Sequence, residues 1–168
     1  MSNKRNLVLD LTLMAAMTAI LETAKLALNM VPNVELITLL VMVFTRHFGW
    51  KLTLPSVIAF ILIEMTWWGA GIWVASYFFV WPLWICITNL TKKIVSPFSN
   101  ALMAAGFGLS FGFLCAIITF MVGGWKMAFA WWISGIPFDI IHCVSNFIVC
   151  MLLYKPVMHA LDKIVKKE

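Results

Sequence analysis

Residues 101–122 read ALMAAGFGLSFGFLCAIITFMV, a run without a single charged side chain. Apolar residues lie on every face of it, so neither the alternation of a half-buried strand nor the one-sided stripe of a surface helix describes it. The hydrocarbon core of a bilayer, about 30 Å thick, is crossed by about 20 helical residues, and this run has that length. The strands of an outer-membrane barrel would alternate apolar and polar residues instead. The run reads as a transmembrane helix.

Working outward, the rest of the chain obeys the same rule. Of its 168 residues 63% are hydrophobic and 11% charged, against about 25% charged in an ordinary soluble domain. Glycines, prolines and charge clusters divide the apolar runs into six spans, near Leu7–Met30, Val34–Phe48, Leu54–Trp68, Trp73–Leu90, Ala101–Val122 and Ala128–Tyr154. The second and third reach only about 22 to 24 Å at 1.5 Å per residue, which implies a vestibule dipping into the membrane there. No other stretch is long enough to bury a core of its own, so residues 1–168 read as one all-α membrane-embedded domain. The start of the chain, with Lys4 and Arg5 ahead of an apolar run, superficially resembles a signal peptide. Asp10 and Glu22 interrupt that run, and it is read as a retained first helix.

Six spans put both termini on one side. Lys4, Arg5, Arg46, Lys51, Lys92, Lys93, Lys155, Lys163, Lys166 and Lys167 fall on that side, against Lys126 on the other face and Lys25 inside the first span. The positive-inside rule makes it the cytoplasmic side of the cell membrane. The net charge of +5 is then topological and calls for no nucleic acid.

Aromatic residues crowd the opposite face: Trp67, Trp68, Trp73, Trp81, Trp125, Trp131 and Trp132, with Tyr77 among them. A belt of interfacial tryptophans would populate both faces, so the excess points to an aromatic-lined outer cavity as well as a belt. Trp73, Tyr77, Trp81 and Trp84 recur at helical spacing and form a ladder suited to planar ligands.

Ionisable groups inside spans are costly and tend to face a wet interior, which makes each a candidate site residue. Glu22 and Lys25, three apart, are expected to neutralise each other. Glu35 stands at the start of the second span, where it could compensate the helix N-terminus or meet a ligand. Glu64 lies one turn before the outer end of the third span and is expected to face the cavity. Asp139, His142 and Asn146 stack along one face of the sixth. That stripe could bind a ligand or close on itself as an interhelical network. A single well-placed histidine argues against a metal site, and no cofactor is implied. Cys86, Cys115, Cys143 and Cys150 lack paired spacing and read as packing thiols. No nucleotide-binding loop or hydrolase motif is present, so the chain reads as non-catalytic.

Ala104, Gly108, Gly112 and Ala116 make a small-residue ridge on the fifth span, and Ala15 and Ala19 a shorter one on the first. Here the chain resembles the substrate-binding S components of energy-coupling factor (ECF) transporters. The resemblance rests on six spans, the Ala-x-x-x-Ala pair and two segments, PNVELITLLVMVFTRHFG (residues 32–49) and WISGIPFDIIHCVSNF (residues 132–147). It implies a subunit that captures a water-soluble vitamin or precursor at the outer face, with pyridoxine-type compounds, thiamine precursors and cobalamin-type compounds as candidates. It also implies docking, through Ala15 and Ala19, on a transmembrane coupling subunit that works with two ATPase subunits. Glu35, Glu64, Trp67, Trp68, Trp73, Tyr77, Trp81, Trp132, Asp139, His142 and Asn146 are the expected ligand-binding set. The alternatives are a stand-alone carrier or proton-linked channel using Asp139 and His142, and an intramembrane enzyme using the same pair.

Overall fold

In a computed structural model, residues 7–31 and 34–165 are described. Of the sequence features above, Lys4, Arg5, Pro32, Asn33, Lys166 and Lys167 lie outside them. The described chain is all helical, with 89% of its residues in helices. The helices are α1 (Leu7–Leu28), α2 (Ile37–His47), α3 (Trp50–Trp68), α4 (Ile72–Leu90) and α5 (Pro97–Val165). Four of them, all but α2, are long and apolar enough to cross a membrane. They fit a multi-pass membrane protein.

The last two expected spans are the two helical arms of α5. α5 is broken at Gly124, whose φ of 71° is a left-handed conformation that a side chain would strain, and the break divides it into arms 97–123 and 125–165. The arms fold back on each other, so that Gly112 meets Asp139, Gly108 meets His142 and Phe98 meets Phe147. At Gly112 an added Cβ would collide with the Asp139 carboxylate, and at Gly108 it would come within 2.9 Å of the His142 carbonyl. The small-residue ridge of the fifth span is therefore the seam between the two arms, which only glycine permits to approach so closely.

α2 occupies the centre. Every residue from Ile37 to Thr45 is buried, and α1, α3, α4 and α5 all pack on it. A helix apolar on every face belongs in such a position. At 11 residues it spans only about 16 Å, shorter than the expected Val34–Phe48. α3 is longer than expected, because Trp50–Thr53 join it ahead of Pro55. Lys51 does not break the helix there, since a long basic side chain at a helix end can reach polar surroundings. The helix after Tyr154 also continues, to Val165, with His47 Nδ1 3.4 Å from Asp162 Oδ1.

Hydroxyls inside the bundle are satisfied locally. Thr45, Ser56, Ser76, Thr88 and Thr119 each donate to the carbonyl one turn back. Thr18 bonds both Met14 O and Ser56 O, tying α1 to α3. Outside, Leu102, Leu109, Phe113, Ile140, Val144 and Ile148 stand exposed along the two arms of α5, a surface made for hydrocarbon.

Candidate functional site

Lys25 near the end of α1, Glu35 just before α2, Glu64 near the end of α3, Tyr77 near the start of α4 and His142 in the second arm of α5 converge at one end of the bundle. All of them but Glu64, which was expected to face it, line a cavity of about 220 Å³. Its polar lining is Lys25, Asn29, Glu35 and His142, and its aromatic walls are Phe60, Tyr77, Trp81 and Phe111. Glu64 lies immediately behind Lys25.

Lys25 departs from the sequence reading. Its Nζ is 2.7 Å from Glu64 Oε2 and donates to Tyr77 Oη at 3.0 Å, rather than pairing with Glu22. Packing of α1 on α3 brings the Glu64 carboxylate within reach, and that contact outcompetes the intrahelical one. The ammonium also sits 4.9 Å from the Tyr77 ring centroid, 5.3 Å from that of Trp73 and 6.0 Å from that of Phe60. Glu22 is buried, and neither of its carboxylate oxygens has a hydrogen-bond partner among the described residues.

Glu35 compensates the start of α2 and also lines the cavity. Oε2 accepts from Thr38 N at 2.8 Å, capping a helix whose N-cap residue, Leu36, has no side chain able to do so. Oε1 accepts from His142 Nε2 at 3.1 Å. The imidazole in turn packs edge-on against Phe111, 5.1 Å between ring centroids.

The polar stripe on the second arm of α5 is split. His142 lines the cavity. Asn146 donates to Thr38 Oγ1 at 3.2 Å, and Asp139 Oδ1 accepts from Gly112 N at 2.9 Å, so these two serve the helix seams. Thr38 also accepts from Trp84 Nε1 through its carbonyl, at 2.9 Å. The interhelical-network reading thus describes Asp139 and Asn146, while His142 borders the cavity and bonds Glu35.

The aromatic ladder forms as its spacing predicts. Trp73 and Tyr77 are 5.4 Å apart, Tyr77 and Trp81 5.7 Å, and Trp84 stacks on Phe107 at 4.3 Å. Trp81 is buried, and its indole N–H has no acceptor among the described residues. The other tryptophans divide differently. Trp67, Trp68, Trp125 and Trp131 are exposed, as interfacial belt residues would be. Trp132 packs edge-on against Phe113 beside a separate apolar groove.

Phe60, Phe111 and Asn29 were not singled out in the sequence. Phe60 and Phe111 sit in unbroken apolar runs and carry no local signal, while Asn29 stands in a turn, where its type is ordinary. Ala15 and Ala19 are exposed on α1 and border a shallow groove of about 520 Å³ with Pro55 and Ala59 of α3, which shares no lining residue with the cavity. Comparison of the chain with protein-family profiles, with curated proteins and with solved structures gives no match.

Proposed function

We propose that this chain is the substrate-binding S component of an ECF-type importer in the cytoplasmic membrane, capturing a small water-soluble vitamin or vitamin precursor. The observation that carries the reading is the cavity itself. It is walled by rings on one side and by Glu35, His142 and Lys25 on the other, with the unpartnered indole N–H of Trp81 at its edge. Such a mixture of apolar wall and a few convergent polar groups suits capture of a small polar ring compound. At about 220 Å³ the cavity lies below the usual range of about 300–1,000 Å³ for small-molecule pockets. That supports a single-ring ligand of the pyridoxine or thiamine-precursor class over a corrinoid.

With α2 and the two arms of α5 counted separately, the chain crosses six times, and the basic residues near Arg46, Lys92 and Lys155 put both termini in the cytoplasm. The exposed Ala15 and Ala19 groove supports docking of a coupling subunit, because small residues let a partner helix approach closely. ATP hydrolysis then belongs to two ATPase partners.

The test is assembly and uptake. Co-expressed with an ECF coupling module, the chain should co-purify with it and confer ATP-dependent uptake of a vitamin identified by mass spectrometry of the purified subunit. Ala15→Trp or Ala19→Trp should abolish co-purification and uptake while leaving the isolated subunit folded and ligand-bound. Solute movement by the reconstituted chain alone, without ATPases, would instead establish a stand-alone carrier.

A further inference from the structure

The charges around the cavity do not balance. Three acidic side chains, Glu35 in the lining and Glu22 and Glu64 behind Lys25, share one lysine and one histidine, so with all three ionised the acidic groups outnumber the basic ones. Asp139, near enough to His142 to feel its charge, adds to the imbalance. Glu22 marks where the excess falls. The residue is 9% exposed, both oxygens lack a partner among the described residues, and it is close enough to Lys25 and Glu64 to interact with the charges of both. A carboxylate so buried is stabilised by a cation at hydrogen-bonding distance.

Lys25 shows what the neighbouring space is built to hold. Its ammonium lies against Trp73, Tyr77 and Phe60 and on the Glu64 carboxylate, the surroundings that favour an organic cation over a neutral molecule or an anion. Lys25 also borders the cavity, and Glu22 stands one helical turn away on the same helix, the position from which an i, i+3 pair forms.

We infer that the cavity's ligand is a small organic cation and that Lys25 is its built-in competitor, giving up the Glu64 and aromatic contacts to the ligand and moving to Glu22. This rests on the cavity being the ligand site of the proposed function, and it adds the charge class. The exchange gives Glu22 and Glu64 a cation each and fills the aromatic cage in both states.

The experiment uses the full chain in lipid nanodiscs and three probes of one ring size: 1-methylnicotinamide (cation), nicotinamide (neutral) and nicotinate (anion), followed by quenching of tryptophan fluorescence. The cation should bind at least about tenfold more tightly than the other two, a range cation–π and ion-pair contacts readily supply. Lys25→Met should tighten the cation by roughly tenfold, by removing the competitor. Glu22→Gln should weaken it by a similar factor, since Lys25 then has nowhere to go, and should have no effect in the Lys25→Met background.

Preferential binding of nicotinate, lost in Lys25→Met, would overturn the inference and make Lys25 an anion receptor. Equal binding of all three probes, binding of none, or cation affinity unchanged by Glu22→Gln would also overturn it. If Lys25→Met does not fold, Glu22→Gln alone decides. Co-purification with a coupling module is read separately. A chain that assembles but prefers anions loses only the charge class, and one that binds cations but never assembles loses only the transporter role.

Discussion

Each end of the bundle holds a cation inside the protein, and the two are handled in opposite ways. At one end Arg46, at the close of α2, donates to Ile94 O at 2.8 Å, Asn100 Oδ1 at 2.7 Å, Tyr154 Oη at 2.9 Å and Thr91 O at 3.3 Å. Its partners come from the end of α4, the loop after it and both arms of α5, and all are neutral. At the other end Lys25 has a charged partner, a phenol and three rings, and it borders open space. A planar fork of fixed donors suits a permanent knot, whereas a point charge on a flexible stem can change partners. The same bundle thus uses arginine to join several helices through neutral acceptors and lysine beside a cavity.

The sharpest way to break this comparison is to remove each cation in turn. Arg46→Met leaves several buried acceptors and a hydroxyl unanswered, and hydrogen bonds to a charged group contribute about 1.5–3 kcal/mol. Taking about 3 kcal/mol for the set, the melting temperature should fall by roughly 6–12 °C. No added organic cation should restore it, because the acceptors that Arg46 answers are all neutral and include no carboxylate. A thermal melt in nanodiscs, with and without 1-methylnicotinamide, reads both halves.

Lys25→Met should have a smaller effect, about 2 kcal/mol and roughly 4–8 °C, because the lysine is partly exposed and two fewer acceptors are stranded. Here 1-methylnicotinamide should recover most of the loss. Equal rescue at both ends, or at neither, would erase the distinction between knot and cage.

The smallest effect is expected at Glu35, where one carboxylate serves structure and site together. Glu35→Ala removes the cap on Thr38 N and the partner of His142, for about 1 kcal/mol or roughly 2–4 °C. Glu35→Gln keeps an oxygen for Thr38 and should recover about half. Amide exchange at the first turn of α2 should rise in the alanine variant and stay near the parent level in the glutamine variant.

How far the sequence could reveal this depends on distance along the chain. The all-helical character is visible in runs such as 101–122, and the ladder Trp73–Tyr77–Trp81 in a helical period, because both are local patterns. The partners are not local. Glu35 and His142 are 107 residues apart, and Asn146 and Thr38 108 apart, so no spacing rule could pair them. Lys25 was misassigned for the same reason. Glu22 is its obvious neighbour on one helix, and only the packing of α1 on α3 makes Glu64 the better one. The ridge from Ala104 to Ala116 could be recognised as a contact surface, but not as the seam of a hairpin turned at Gly124.

The burial of α2 has a consequence for how the protein is made. With Ile37–Thr45 covered on all sides, this helix has no surface to offer lipid, and at about 16 Å it is too short to hold itself across a bilayer. The residues that receive Arg46 are synthesised later, Tyr154 being 108 positions downstream. At roughly 5–20 residues per second the ribosome delivers Tyr154 about 5 to 20 s after Arg46. Through that interval the central helix lacks one of the walls it packs on in the finished bundle, and that wall is complete only once α5 has turned at Gly124.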